Sequence, residues 1–380
     1  MKRTIFTVLL VLVFACSLFA NGAQEASALA KDLAKVRIAI HSNEGGASLV
    51  AVAEEQKIFE KHGIKAQITV VTGGVPEMAA MRADDRTLDI GYIGAGVAWN
   101  PIDSTGNQLS FVFLDCLSNS ENLIAKKGIF KDANGNGKYD NDEIYEGLKG
   151  RTVYLQTGAT PGAWFLQLID TFNTGKADKE KLWVYCEDAS YTSGLKQANN
   201  DPAYRVQVVN YDNANIPAGM ATKDASAVQI AAAYAPSTTT ALKMEGIEFI
   251  CDNSALDAKY VSPSTWVASN KWLNESPAVA QAFVDALLEA AAYRYEHLDE
   301  SMKAADRISQ LPDGSCNANN LIAFSIDDYK ALFAEGGKGY AYMQALYDLK
   351  KGNVPEGSRP KAFEEAFNDT FITTAIKNYK

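Results

Sequence analysis

Histidine is scarce in this sequence: three in 380 residues, His41, His62 and His297. With no CxxC and no HxxxH spacing, that scarcity argues against a zinc site and against a histidine-based catalytic pair. Cysteine is nearly as rare. Cys16 sits in an N-terminal apolar run, and Cys116, Cys186, Cys251 and Cys316 are too widely spaced to form a recognisable disulfide framework. Four in so large a chain read equally well as two disulfides or as buried free thiols. No Lys/Arg-rich run occurs past Arg3 and the net charge is -10. That balance argues against nucleic acid or an anionic membrane surface as the main partner, since both need basic patches. No apolar run approaches the ~18 residues of a membrane span. GxSxG, P-loop and HExxH motifs are all absent, so the chain reads as a non-enzyme.

What remains is ordinary folded composition, 47% apolar and 22% charged, enough for two core-bearing domains. Lys2 and Arg3 precede IFTVLLVLVFA and then a polar NGAQEA, the layout of a secretory signal over residues 1–20 with a linker at 21–35. Val13-Phe14-Ala15-Cys16 resembles a bacterial lipobox, which implies lipidation of Cys16. Cleavage after Ala20 is the alternative. Either reading puts the protein in the periplasm or on the cell surface, touching a membrane only through a lipid anchor.

From residue 36 short apolar runs alternate with helical patterns: VRIAI (36–40), a helix stopped at His62-Gly63, ITVV (68–71), a helix through Met81, and DIGYI (89–93). Alternation of this kind predicts an α/β fold with an open, mostly parallel sheet. The layout then repeats. TVVTGGVPEMAAM (69–81) leads past Pro76 to DIGYIGAG (89–96), and VVNYDNANIPAGMAT (208–222) leads past Pro217 to QIAAAYAP (229–236). A matched proline marks a matched helix start, so the chain reads as two similar lobes with a crevice at the carboxyl ends of their strands. The C-terminal part is helical, with SPAVAQAFVDALLEAAAYRYEHL (276–298) capped by Ser276 and two further patterns at 326–350 and 360–378.

The order VRIAI…AEEQKIFEKHGIKAQITVV…LDIGYIGAG, followed by GLKGRTV at 147–153, resembles the periplasmic substrate-binding proteins of ABC importers. The closest likeness is to the branch taking nitrate, sulfonates, taurine and thiamine precursors. The resemblance covers roughly residues 36–300 and implies a two-lobe, type II-like fold with C-terminal helices. It divides the chain into lobe 1 at 36–125, lobe 2 at 126–245, a return to lobe 1 at 246–300 and a helical region at 301–380. It implies a monomer that captures a small organic solute (sulfonate, carboxylate, zwitterion or pyrimidine-like) and delivers it to an ABC permease. Gln229 stands where the family usually has aspartate, and Tyr234-Ala235-Pro236 lacks the family's acid. Other roles for the same fold are a sensor or chemoreceptor partner, a surface adhesin, or a thiamine-pyrimidine-synthase-like enzyme whose cysteine-rich motif is missing here.

Crevice contacts are expected from strand-end loops: Asn43 and Glu44, Gly94 and Ala95, then Thr157 and Thr160. Thr160 before Pro161 reads as a helix cap that would turn free N–H groups toward an anionic head. Arginine is missing from these loops. Glu44, Asp115 and Asp212 lie at predicted strand ends, positioned for an amine, while Trp99 and Tyr234 follow the matched strands and offer rings for stacking. The balance favours a zwitterionic or ring-bearing solute over bare nitrate.

KDANGNGKYDNDE (131–143) fits the calcium-loop spacing D-x-[DN]-x-[DN]-G-x5-E, with Asp132, Asn134, Asn136, Gly137 and Glu143 at the fixed positions. Lys138 would contribute its carbonyl and Asp140 its carboxylate, directly or through water. Tyr139 departs from the aliphatic residue usual there, and an Asn/Gly-rich surface turn is the plain alternative. The expected role is a structural Ca²⁺ brace in loop 132–143.

Overall fold

The computed structural model describes residues 33–71, 73–94, 108–188, 191, 199–223, 227–257, 260, 262–351 and 362–380. The proposed signal, Cys16 and most of the linker lie outside them. The chain builds one sheet from β1 (Ala34–His41), β2 (Ile64–Val71), β3 (Ile90–Gly94) and β4 (Leu109–Ser118). It crosses to a second sheet of β5 (Glu121–Lys126), β6 (Thr152–Leu155), β7 (Trp183–Cys186), β8 (Arg205–Asn210), β9 (Ile230–Tyr234) and β10 (Ile247–Cys251). It then returns to the first with β11 (Pro263–Ser269) and β12 (Leu321–Ile322).

The spatial orders are β12-β4-β11-β3-β1-β2 and β10-β5-β9-β6-β8-β7. Within each sheet the central strands are parallel: β1 with β2 and β3, and β6 with β8 and β9. An antiparallel strand closes each group, β11 on β3 and β5 on β9. The block β4-β11-β3-β1-β2 thus corresponds to β10-β5-β9-β6-β8. The duplication read from the matched prolines is therefore present as topology, and each closing strand is the one arriving from the other lobe. This is the two-lobe periplasmic-binding-protein fold with C-terminal helices.

Both boundaries between the lobes move relative to expectation. The first crossing falls between Ser118 and Glu121, not at 125/126, and the second between Cys251 and Pro263, not at 245/246. The physical reason is pairing: β5 and β10 bond to each other and to β9, so both belong to lobe 2. The two crossings are tied where Asn253 Nδ2 donates to the Ser118 carbonyl at 2.6 Å.

Helices pack on the sheets by the usual burial of apolar stripes. The principal ones are α1 (Glu44–Glu55), α2 (Gly74–Arg82), α3 (Asn141–Leu148), α4 (Thr160–Asn173), α5 (Ile216–Ala221), α6 (Pro277–Glu296), α7 (Leu298–Ile308), α8 (Ile326–Leu332), α9 (Lys338–Lys351) and α10 (Thr370–Asn378). The expected helix at 326–350 is two, α8 and α9, separated by a turn at Gly336, whose φ is +72°. In α6 the buried residues Ala280, Phe283, Val284, Leu287, Leu288, Ala291 and Arg294 repeat at helical spacing. Ser276 is its N-cap residue by position but accepts no capping hydrogen bond. The four cysteines in the described part are free and buried, which decides for thiols.

Candidate functional site

A cavity of about 110 Å³ lies between the lobes. Its walls are carboxyl ends of parallel strands: His41 from β1, Ile93 and Gly94 from β3, Gln156 and Gly158 just past β6, and Tyr234 from β9. Three helices begin there as well. Asn43 precedes α1, Gly73 precedes α2 and Ala159 precedes α4, and none of these N-cap positions makes a side-chain capping bond. Free N–H groups and the partial positive charge of three helix starts therefore border one space.

Local sequence explains the close approach of these parts. A Cβ on Gly45 would stand 2.0 Å from the Tyr92 hydroxyl, and one on Gly46 would stand 2.2 Å from its ring. The glycine pair lets the start of α1 lie on Tyr92, which also lines the cavity. Across the cavity, a Cβ on Gly94 of lobe 1 would meet Thr160 Oγ1 of lobe 2 at 2.6 Å but Thr160 Cβ only at 3.8 Å. Gly94→Ala is therefore expected to weaken solute binding about tenfold by holding the lobes apart, at overpacking costs of about 1–3 kcal/mol. Adding Thr160→Ala, which removes the colliding hydroxyl, should restore affinity in calorimetric titration. Equal affinities in all three proteins would show that this contact does not control closure.

The buried charged groups at the cavity are carboxylates. Glu44 is 3% exposed, and its Oε1 accepts Asn320 Nδ2 at 2.7 Å and the Asn317 N–H at 3.2 Å. Burial pushes its pKa up, against the pull of the Asn320 bond. Glu121, 2% exposed, accepts Ser118 Oγ at 2.9 Å. Burial raises its pKa to about 7, opposed by the Ser118 bond and aided by the charge of Glu44. Glu77, at the start of α2, is held by His41 Nε2 at 2.7 Å, so that helix start already has its acid. Burial likewise raises Tyr234, with the charges of Asp212 and Glu121 adding to it.

Of the residues expected to contact a ligand, Asn43, Glu44, Gly94, Thr160 and Tyr234 line this cavity. Thr160 is not the expected cap: it is the first residue of α4, and Ala159 in the cap position makes no side-chain capping bond. Thr157 is not on the wall; its N–H donates to Asn210 Oδ1 at 3.1 Å. Asp115 is a correction. It is fully buried inside lobe 1 and pairs with Arg294 at 2.6 Å, because β4 carries apolar contacts on both faces and turns this acid into the core. Asp212 is another: it is exposed and caps a short turn by accepting the Ala214 N–H. Ala95 and Trp99 lie outside the described residues. Sequence reasoning passed over Glu121, Tyr92, Ser118 and Asn320. Glu121 opens a strand and Asn320 sits in the region 301–380 read only as helical, and neither carries a local signal.

The 131–143 segment folds into a loop bound to itself. Asp132 accepts the N–H groups of Gly135 and Gly137, each at 2.7 Å, and both glycines have φ above +70°. Asn134 and Asn136 accept the N–H groups of Asn136 and Lys138. Asp140 and Glu143 form a capping box on α3, and Glu143 also reaches the N–H groups of Ala133 and Asn134. Among the described residues no group of three His, Cys, Asp or Glu side chains stands close enough to hold a metal ion. The loop lies within lobe 2, beyond β5, and not between the lobes.

No family model matches the chain. A Brucella abortus protein, named provisionally as a binding protein, is 26% identical over 267 residues, spanning 70% of this chain and 69% of its own. Among solved structures, the Synechocystis periplasmic nitrate-binding protein NrtA aligns with TM-score 0.58 at 10% identity, covering 92% of this chain and 90% of its own. The ligand-binding component of a Staphylococcus aureus ABC-type import system, with zinc bound, gives 0.58 at 12%, over 90% and 98%. The alkanesulfonate-binding protein SsuA of Xanthomonas axonopodis bound to MOPS gives 0.53 at 15%, over 88% and 98%. At these identities the likeness concerns the fold.

Proposed function

We propose that the protein is an extracytoplasmic solute-binding component of an ABC importer, which captures a small polar molecule between its lobes and presents the closed form to a permease. The observation that carries this reading is the cavity itself, walled by strand ends and helix starts of both duplicated lobes. Its volume, about 110 Å³, leaves room for about four non-hydrogen atoms, judged against the roughly 150 Å³ cavity that holds benzene. The two crossings, tied at Asn253 and Ser118, are the place for a hinge. Closure follows if the solute prefers the closed form, since equal affinity for both forms shifts nothing. Export fits the N-terminal apolar run, with Cys16 as the lipid attachment point, and nothing in the binding cycle requires a second copy or a catalytic step. Mass spectrometry of the natively purified protein is expected to find a small molecule released on unfolding, and refolded empty protein should become more compact in X-ray scattering when that molecule is returned. An unchanged scattering profile would remove the reading.

Loop 132–143 is read as a calcium brace for lobe 2. The fit rests on its donor set: carboxylates of Asp132, Asp140 and Glu143, amide oxygens of Asn134 and Asn136, and the Lys138 carbonyl, hard oxygens of the kind Ca²⁺ prefers. The Gly137 N–H on Asp132 already gives the turn that spacing requires. Glu143 would have to leave its capping bonds to join the ion. Replacing chelator with millimolar CaCl₂ should raise the unfolding temperature by about 3 °C or more, and Glu143→Gln should abolish the rise while sparing solute affinity. Identical melting in chelator and calcium would leave the loop as a self-bonded turn.

A further inference from the structure

The cavity between the lobes is bordered by acceptors. Glu44 comes from α1 of lobe 1 and Glu121 from β5 of lobe 2, and both are at least 97% buried by exposures of 3% and 2%. Asn43 Oδ1, also at the wall, is closed to solvent and has no donor among the described residues. No Lys or Arg is among the described residues that line the space. The stretch following Gly94, AGVAWNPIDSTGN (95–107), contains neither residue in its sequence.

Helix starts supply only partial charge, about +0.5 each at most, and two of the three are already met by acids. Glu44 is the first residue of α1, and Glu77 sits in the first turn of α2. Only α4 begins without an acidic residue. Once ionised, two carboxylates outweigh that end, and a bare anion placed between them would be repelled at low dielectric. Tyr92 and Tyr234 add aromatic walls, which attract cations and do not attract anions.

On the reading that this cavity holds the solute, we infer that the solute carries a compact cationic group rich in N–H donors, a protonated amine or an amidinium, seated between Glu44 and Glu121. The geometry makes closure itself depend on that charge. Each carboxylate belongs to a different lobe, so one cation bridging them joins the lobes, and an anion would push them apart. Burial lifts the pKa of both acids, and a cation seated between them would favour their charged forms.

Three probes of one size and shape isolate the charge: acetamidinium, acetamide and acetate, with methylguanidinium, methanesulfonate and nitrate added. Thermal shift and calorimetry on the full chain at pH 8 are expected to show binding by the two cations and none by acetamide or the anions. Glu44→Gln and Glu121→Gln, which keep size and hydrogen-bonding capacity, should each weaken cation binding about tenfold to a hundredfold, the loss expected for a charge-assisted hydrogen bond. Unfolding curves of the empty variants show whether each has kept its fold. Binding by acetate, methanesulfonate or nitrate without binding by the cations overturns the inference and leaves the solute-binding reading standing. Cation binding that survives undiminished in both variants places the cation elsewhere and also overturns it. If no probe binds, the inference and the reading beneath it both fall.

Discussion

Asp115→Asn is expected to cost the protein about 3–5 kcal/mol, among the largest losses a single polar substitution can produce here. The acid sits at 0% exposure inside lobe 1, with Arg294 Nη2 2.6 Å from Oδ1 and Trp266 Nε1 donating to Oδ2 at 3.0 Å. Its own carbonyl accepts Arg294 Nη2 at 3.0 Å and the Tyr329 hydroxyl at 2.9 Å. Arg294 is also fully buried and reaches the Gly45 carbonyl and Ser48 Oγ, each at 3.3 Å. The Asp115 charge holds its pKa above the ordinary value although burial opposes that. Once Asp115 is neutral, a guanidinium is left in a dry core with no counter-charge, and it cannot shed its proton. Replacing both partners, Asp115→Leu with Arg294→Met, should recover most of the loss, because desolvating the pair had offset much of its attraction. Urea unfolding of the parent, Asp115→Asn, Asp115→Leu, Arg294→Met and the double variant is the measurement. A single-variant loss below ~1 kcal/mol, or a double variant worse than the sum of the singles, would contradict the assignment. Because Arg294 bonds the first turn of α1, the single variant should also loosen Glu44 and reduce solute affinity.

The second large effect is a dependence of stability on pH carried by Glu121. Burial raises its folded-state pKa from 4.5 to about 7. Between those values the folded carboxyl keeps a proton that the unfolded one has released. Its contribution is therefore favourable at low pH and is lost as pH rises through 7, amounting to about 3 kcal/mol by pH 8. The groups facing it are Ser118 on the crossing strand, Glu44 from α1 and Tyr234 from β9, and none carries a compensating positive charge. Burial also raises the pKa of Glu44, which tilts the profile in the same direction. Glu121→Gln is expected to flatten the fall in stability between pH 5 and pH 8 and to leave the empty protein more stable than the parent at pH 8. Parallel pH profiles for the two proteins would show that Glu121 is ionised at no cost. A residue that destabilises the empty fold and lines its cavity is the pattern expected of a site kept for binding.

Much of the architecture was legible in the sequence because its signals are local. Strand-helix alternation set the α/β class, and Gly63 ended its helix as expected, at φ +72°. The matched Pro76 and Pro217 marked two copies of one unit, now seen as β2-α2-β3 and β8-α5-β9. The turn at 132–143, read from its spacing as a calcium loop with an Asn/Gly-rich surface turn as the alternative, is local as well, since its hydrogen bonds run between residues at most ten apart.

What the sequence could not decide was where each acid points. Glu44, Asp115, Glu121 and Asp212 look alike as acids at strand ends or beside them. In the structure the first and third face the cavity, the second is sealed in the core against Arg294, 179 residues away, and the fourth caps an exposed turn. The lobe boundary moved for the same reason, because β5 and β10 follow partners distant in the chain. Periodicity along one strand fixes which residues share a face. Only pairing between remote segments fixes what that face meets, and so which carboxylates border the cavity.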